Sequence, residues 1–279
     1  MSLFDRLERL LLPAIDRVYA RRPQEPPGAA QLKNVRIVAH RGAHAPRRLL
    51  ENTLPAFDAA LAQGAWGIEF DIRWTRDLVP VVIHDPDLLR VFGLPHEVSR
   101  CTFEELAAVC PMVPRLADVI GRYGGRVHLM AELKAEPYPE PLRQNRILGD
   151  LFAGLAPGQA FHLLAIDPGL FRLALFAPPQ ACLPVARLNT AGFSRLAARA
   201  GYAGVAGHYR LVTEKIIRQQ HALGRKVGTG YAASRSVLLR EIRRGVDWIF
   251  TNHAVRMQQI LKQVRPHDGG SRAALGSTK

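Results

Sequence analysis

The chain lacks long apolar runs and paired cysteines. Its 279 residues contain no uninterrupted run of 18 apolar residues, so no transmembrane helix is predicted. Its three cysteines, Cys101, Cys110 and Cys182, form no C-x-x-C pair, which excludes a disulfide framework and a cysteine zinc site. The first 22 residues mix three acidic side chains into their apolar positions and make a poor signal peptide. These absences favour a cytoplasmic protein and leave peripheral attachment to a membrane open.

Acidic residues are scarce relative to basic ones. The chain has 24 Asp and Glu against 38 Lys and Arg, a formal net charge of +14, and the excess is concentrated in residues 214–279. A basic protein suits an anionic partner such as a phosphate ester, a membrane surface or nucleic acid. A solvated, arginine-rich surface would give the same charge, and no nucleic-acid-binding motif is visible, so we expect no nucleic-acid partner.

Short apolar segments alternate with amphipathic segments along most of the chain. This alternation predicts a mainly parallel sheet covered by helices. No G-x-G-x-x-G motif follows the first strand, so at this length we expect an α/β fold of the (β/α)8 TIM-barrel type rather than a dinucleotide-binding fold. The predicted strands are residues 35–40, 67–72, 79–84, 126–133, 161–166, 182–188, 203–207, 225–231 and 248–252.

Nine predicted strands for eight barrel positions make at least one strand surplus. Only six residues separate Ile72 from Val79, whereas a parallel crossover needs about a dozen or more. We therefore expect the barrel to be irregular between its second and third strands, with a hairpin or irregular link that turns near Arg76 and Asp77.

The chain divides into three predicted regions. Residues 1–31 form an N-terminal amphipathic helix and a Pro/Gly linker, residues 32–265 form the barrel domain, and residues 266–279 form a disordered tail. We favour a role for the N-terminal helix in closing the bottom of the barrel, because its polar face is not strongly basic. Docking on a membrane or a partner is the alternative.

Polar residues stand at the ends of the first four predicted strands. The carboxyl ends of barrel strands form the mouth, where active sites lie. Two of the carboxylates are two residues apart and therefore face the same side of their strand. The residues are His40 and Arg41, Glu69 and Asp71, His84, and Glu132 and Lys134.

These residue types suit phosphoryl-ester chemistry. Three converging carboxylates repel one another unless a hard divalent cation or basic neighbours hold them, and oxygen ligands suit Mg²⁺ or Ca²⁺. The histidines are then free for proton transfer. Arg41 and Lys134 can clamp an anionic group. Any one of these residues alone would more often be structural, but packing alone seldom places so many at successive strand ends.

The sequence resembles the glycerophosphodiester phosphodiesterases, most strongly from about residue 35 to 134. The motifs that carry the resemblance are His40-Arg41-Gly42, Glu51-Asn52-Thr53, Glu69-Phe70-Asp71, His84-Asp85 and Glu132-Leu133-Lys134. The chain departs from the family near its C-terminus, where Thr251-Asn252-His253-Ala254 stands in place of Thr-Asp-x-Pro, and at Leu50, where the family usually has proline.

The resemblance implies metal-dependent hydrolysis of glycerophosphodiesters to glycerol 3-phosphate and an alcohol, in glycerol and lipid metabolism. It makes His40 and His84 the acid/base pair and Arg41 and Lys134 the phosphate contacts. It makes Glu69, Asp71 and Glu132 the ligands of one divalent cation, Mg²⁺ or Ca²⁺.

Several points stay open on the sequence alone. Glu51 could contact substrate or metal, or only support the start of a helix for which Asn52 and Thr53 provide the N-cap. One alternative function is a phosphodiesterase acting on lysophospholipids or other membrane lipids, and a non-enzymatic one is an inactive barrel that binds nucleic acid or another polyanion. The alcohol moiety, the acid and base roles of the two histidines, the choice of water or a cyclic phosphate, and the oligomeric state are not fixed by the sequence.

Overall fold

The computed structural model describes residues 17–45 and 48–265. Eight parallel strands close into a ring in which the first strand pairs with both the second and the last. The predicted (β/α)8 barrel is therefore confirmed. Its strands are β1 (Ile37–His40), β2 (Gly67–Trp74), β4 (His128–Leu133), β5 (Phe161–Ala165), β6 (Cys182–Ala186), β7 (Gly204–His208), β8 (Lys226–Gly230) and β9 (Trp248–Thr251).

The surplus strand is β3 (Pro80–Val82), which pairs antiparallel with β2 and lies outside the ring. Its turn is closed by Thr75, whose hydroxyl donates to the backbone oxygen of Val79 over 3.1 Å. Leu78 takes a positive φ of 62° in this turn. The hairpin predicted between the second and third strands is thus present, and it returns the chain to the barrel mouth just before His84.

Besides the helical residues 17–20, ten helices flank the strands in the described part of the chain. Most have the amphipathic pattern predicted from the sequence, with the apolar face packed on the outside of the barrel. They are α1 (Ala29–Lys33), α2 (Leu54–Ala62), α3 (Leu89–Phe92), α4 (Phe103–Val109), α5 (Leu116–Tyr123), α6 (Pro141–Phe152), α7 (Thr190–Ala200), α8 (Glu214–Ala222), α9 (Arg235–Arg244) and α10 (Ala254–Val264), and short 3₁₀ helices lie at Val98–Arg100, Pro168–Leu173 and Pro179–Ala181.

A small lobe follows β3 and carries α3 and α4. It has its own apolar core, to which Val81, Leu88, Val98 and Leu106 contribute fully buried side chains. The lobe therefore packs as a unit beside the mouth, and it fixes the segment that begins with His84.

The N-terminal region is described only from residue 17. Residues 17–20 are helical, the ring of Tyr19 packs edge-on against that of Tyr209 at 5.9 Å, and Ser236 donates to the backbone oxygen of Ala20 over 3.0 Å. Tyr209 directly follows β7, so residues 17–20 lie towards the mouth. Closure of the bottom by the N-terminal helix stays a prediction. The rest of the predicted helix and the predicted disordered tail, residues 266–279, lie outside the described residues.

Candidate active site

Strand pairing brings the predicted carboxylates together. His40 on β1 pairs with Glu69 on β2, and Asp71 on β2 pairs with Glu132 on β4. Glu69 and Asp71 are two apart and both point into the barrel, whereas Phe70 between them is buried in the outer core. Glu69, Asp71 and Glu132 are all buried, and each offers a ligand atom within 4.8 Å of the others.

Two predicted cations lie directly on this acidic cluster. The Nζ atom of Lys134 is 2.9 Å from Oδ1 of Asp71 and 2.6 Å from Oε1 of Glu132. The Nε atom of Arg41 is 3.3 Å from Oδ2 of Asp71, and the backbone N–H of Arg41 donates to Oε2 of Glu69 over 3.0 Å. Lys134 and Arg41 therefore hold the carboxylates in place.

The carboxyl groups carry more negative charge than the two cations neutralise. Burial raises the pKa of Glu69 well above its ordinary value, and the charges of Asp71 and Glu132 raise it further. Burial would also raise the pKa of Asp71, but Lys134 and Arg41 outweigh burial and hold that pKa far below its ordinary value. One proton, or one additional cation, is thus needed to balance the cluster.

The loop after β1 is shaped to reach the cluster. Arg41 has a φ of 57° and Gly42 a φ of 82°. A Cβ atom on Gly42 would lie 2.8 Å from the backbone carbon of Ala56, so only glycine lets the loop approach α2 this closely. Asn52 also has a positive φ, of 58°, and its side chain donates to Oδ2 of Asp71 over 2.8 Å.

The predicted N-cap of α2 is only half correct. Thr53 caps the helix, because its hydroxyl accepts from the backbone N–H of Ala56. Asn52 instead supports Asp71, a role that the sequence reading missed. Glu51 accepts from Arg41 over 2.9 Å and, among the described residues, lies outside the acidic cluster that could hold an ion.

His40 stands at the edge of the cluster and is held by a residue from the far end of the barrel domain. Its Nδ1 lies 2.6 Å from Oδ1 of Asn252, so Nδ1 carries the proton and donates to the amide oxygen. Its Nε2 is 3.7 Å from Oε2 of Glu69, and its ring lies 4.7 Å from that of Tyr231. Burial, together with the charge of Arg41, lowers the pKa of His40 to about 3, which favours the neutral imidazole.

His84 has a different environment from His40. Its Nδ1 lies 2.7 Å from Oδ1 of Asp85, and its side chain is 31% exposed towards the mouth. Arg73, the next inward-facing residue on β2 after Asp71, donates from Nε to the backbone oxygen of His84 over 2.8 Å and forms a 2.6 Å ion pair with Glu136. One histidine is therefore paired with a neutral amide and the other with a carboxylate.

The residues present fit a divalent cation. The donor set is three buried carboxylates at the mouth, with one negative charge in excess of Arg41 and Lys134, and hard cations prefer oxygen donors of this kind. The histidine nitrogens do not belong to the cluster found among the described residues, which argues against a zinc site. Glu69, Asp71 and Glu132 are the residues that could hold such an ion.

The fold and the site define a class of protein: a (β/α)8 barrel with a buried carboxylate cluster and two histidines at its mouth. Residues 40–148 match the model of the glycerophosphoryl diester phosphodiesterase family. This match covers less than half of the chain, and it includes every predicted site residue.

Individual relatives match over a shorter stretch. The chain is 47% identical over 72 residues to a mouse (Mus musculus) protein, lysophospholipase D GDPD3, a match of 26% of this chain and 21% of the relative. It is 44% identical over 71 residues to a glycerophosphodiester phosphodiesterase from Bacillus altitudinis, covering 25% of this chain and 28% of the relative. The matches therefore span less than a third of either relative.

A solved structure supports the fold over most of the chain. A phosphodiesterase from Oleispira antarctica, in complex with the product sn-glycerol-3-phosphate, superposes with a TM-score of 0.65 at 21% identity. The superposition covers 84% of this chain and 100% of that one. At this identity the likeness establishes a shared barrel.

The described helices were also compared with the requirements for crossing a membrane. Within residues 17–45 and 48–265, no helix combines the length and the apolar character that crossing a bilayer would require.

Proposed function

We propose that this protein hydrolyses glycerophosphodiesters to glycerol 3-phosphate and an alcohol in a reaction that depends on a divalent cation, Mg²⁺ or Ca²⁺. The observation that carries the proposal is the convergence of Glu69, Asp71 and Glu132 within 4.8 Å of one another. His40 lies 3.7 Å from Glu69, and His84 opens onto the same mouth. The match of residues 40–148 to the family supports the same activity.

In this proposal the cation, when bound, offsets charge on the phosphate and makes a hydroxyl nucleophile easier to deprotonate. Arg41 and Lys134 orient the phosphate as charged hydrogen-bond donors. Asn252 holds Nδ1 of His40, and the imidazole is neutral, so Nε2 is free to accept a proton from the nucleophile. Asp85 holds Nδ1 of His84 and leaves Nε2 available towards the mouth, so His84 is placed to protonate the leaving alcohol.

The test is release of glycerol 3-phosphate from a panel of glycerophosphodiesters, with and without added Mg²⁺ or Ca²⁺ after chelation. We expect turnover only with metal. We expect His40→Ala and His84→Ala each to lose at least about 10²-fold, because one positioned acid or base contributes that much or more. His96→Ala, in the small lobe, is the matched control. If either site variant stays within a few-fold of wild type, the histidine pair is wrong.

The two histidines are separable by the choice of leaving group. An activated aryl phosphodiester needs little help from an acid, so His84→Ala should lose much less activity on the aryl ester than on a glycerophosphodiester. His40→Ala should lose about the same on both. The reverse pattern would exchange the two roles.

A second candidate function is hydrolysis of lysophospholipids at a membrane surface. Three guanidinium groups surround the ring of Tyr19, those of Arg22 at 4.9 Å, Arg210 at 5.0 Å and Arg240 at 5.6 Å. Tyr19, Arg22 and Arg240 also line a groove of about 600 Å³. Arg210 closely follows β7, so this basic surface lies towards the mouth and could attract anionic headgroups.

Co-sedimentation with vesicles tests this second candidate. We expect binding to phosphatidylglycerol vesicles and not to phosphatidylcholine vesicles at moderate salt, and weaker binding by Arg22→Ser. Absence of binding to the anionic vesicles would count against it. The non-enzymatic alternative would gain support only from salt-dependent binding to random DNA together with no metal-dependent turnover.

A further inference from the structure

A chain of alternating charges joins the two sides of the mouth. On one side Arg41, 3.3 Å from Asp71, forms a 2.9 Å ion pair with Glu51. On the other side Asp85 holds Nδ1 of His84 at 2.7 Å. Glu51 belongs to the loop before α2 and Asp85 to the segment after β3, so the two carboxylates are carried by separate parts of the backbone.

One side chain connects these two halves. Arg90, in the short helix α3, donates from Nη1 to Oε2 of Glu51 over 3.1 Å and from Nη2 to Oε1 over 2.6 Å. Its Nε donates to Oδ2 of Asp85. The planar guanidinium is thus bidentate on Glu51 and uses its remaining edge on Asp85, a fixed geometry that an ammonium group cannot reproduce.

The side chains of Glu51 and Asp85 are largely buried, which restricts their movement around Arg90. The side chains of Glu51 and Asp85 are 12% and 18% exposed, and that of Arg90 is 43% exposed. Burial opposes ionisation of Glu51, but Arg90 and Arg41 lower its pKa to about 2. Both oxygens of Glu51 are occupied by arginines, so its role is to connect them rather than to bind an ion.

We propose that Arg90 is a positioning residue that fixes His84 relative to Arg41 by clamping Asp85 and Glu51 together. Arg90 itself does not touch the acidic cluster in any contact of the described structure. Without it, Asp85 can rotate and His84 loses the partner that selects its Nδ1–H tautomer and presents Nε2 to the mouth. The catalytic part of this inference rests on the proposed phosphodiesterase function.

The test compares Arg90→Met and Arg90→Lys with a matched control, Arg76→Met. Arg76, in the turn before β3, also pairs with a carboxylate of the lobe: its Nη2 donates to both oxygens of Glu105 in α4 at 3.1 Å. We expect Arg90→Met to lower kcat by roughly 10- to 100-fold, since a misplaced acid forfeits much of its contribution. KM should rise less than about threefold and Arg76→Met should leave kcat unchanged. Arg90→Lys should recover only part of the loss, because it keeps the charge and loses the fork.

A double variant tests the route of the effect. If Arg90 acts through Asp85, Asp85→Asn and Arg90→Met remove the same support, and the double variant should be less than about threefold worse than the more damaged single variant. Fully multiplicative losses would overturn the proposed route. A folded Arg90→Met protein with wild-type kcat, or one changed only in KM, would overturn the proposal itself.

A second measurement does not depend on turnover. In ¹⁵N spectra of histidine-labelled protein, the His84 signal, assigned by its loss in His84→Ala, should report the Nδ1–H tautomer in wild type and a mixture of tautomers in Arg90→Met. Identical His84 signals in the two proteins would overturn the proposal even if no substrate is found. Absence of turnover in wild type, with the tautomers changing as expected, would count against the phosphodiesterase function alone.

Discussion

Replacing Glu69 by glutamine tests whether the acidic cluster is built for a cation. The variant keeps the shape of the side chain and removes the carboxyl group, whose ionised form adds the third negative charge to the cluster. At an effective dielectric constant of about 20, two carboxylates 4.8 Å apart repel by about 3.5 kcal/mol. Arg41 and Lys134 offset much of this repulsion, so we expect Glu69→Gln to stabilise the metal-free protein by about 1–2 kcal/mol at pH 8.

The pH dependence of the unfolding free energy tests separately whether Glu69→Gln stabilises the protein. The pKa of Glu69 is raised in the folded protein, so the folded state binds that proton more tightly than the unfolded state does. Stability from this proton is present below the ordinary carboxyl pKa and is lost as the pH rises through the higher, folded-state value. The advantage of Glu69→Gln should therefore be smallest near pH 4.5 and grow as the pH is raised.

Metal should offset most or all of the stability that the substitution adds. At a cation concentration of 100 Kd, wild type gains about 2.7 kcal/mol in the free energy of unfolding. If loss of one ligand weakens binding 10- to 100-fold, the same concentration adds only about 1.4 to 0.4 kcal/mol to Glu69→Gln. Urea unfolding in a chelator and in Mg²⁺ or Ca²⁺ measures both quantities.

The control is Glu214→Gln, at an exposed residue 3.7 Å from Arg218, which should change stability by less than about 0.5 kcal/mol and keep the wild-type metal increment. The reasoning fails if Glu69→Gln destabilises the chelated protein, or if its metal increment equals that of wild type.

Two further predictions concern buried histidines at opposite ends of the barrel. At the bottom, Nε2 of His128 lies 2.7 Å from Nδ1 of His162, and burial lowers their pKa values to about 4 and about 3. The unfolded chain therefore binds more protons than the folded protein below about pH 6.5, and each histidine should lower the unfolding free energy by about 2 kcal/mol between pH 8 and pH 5. Urea titrations at the two pH values should show about half of this combined loss in His162→Gln. An unchanged loss of stability would contradict the prediction. At the mouth, Asn252→Asp places a carboxylate on Nδ1 of His40 and should raise its pKa, so the acid limb of kcat/KM should move up by about 1 unit or more, and an unmoved limb would show that His40 is not the base.

Most of what the sequence could predict follows from the convergence of polar residues at the carboxyl ends of the barrel strands. Each β strand is short, apolar and bounded by turn residues, and the ends of parallel strands meet at one rim, so His40, Glu69, Asp71 and Glu132 could be placed together before any coordinates. The hairpin that contains β3 followed from the segment between Ile72 and Val79, which is too short for a parallel crossover. Lys134 and Arg41 were predicted as phosphate contacts, and their contacts with Asp71 follow from the same convergence.

Arg90 could not be predicted in this way. It lies in a four-residue helix, six positions after His84, and no periodicity or spacing relates it to Glu51. Its contacts depend on how the small lobe packs beside the mouth, which Leu88 and Val98 determine through their burial in that lobe. The sequence shows which residues can carry charge, whereas tertiary packing decides which of the many arginines reaches a given carboxylate.

Asn252 is a different case, because the sequence contained the information needed to find it. It is 212 residues from His40, and no local pattern joins the two. A closed barrel, however, places the last strand beside the first, and β9 does pair with β1. The residue that follows β9 must then stand beside the residue that ends β1. Applying strand-end reasoning across the closure, rather than only to the first four strands, would have predicted a partner for His40 at Asn252.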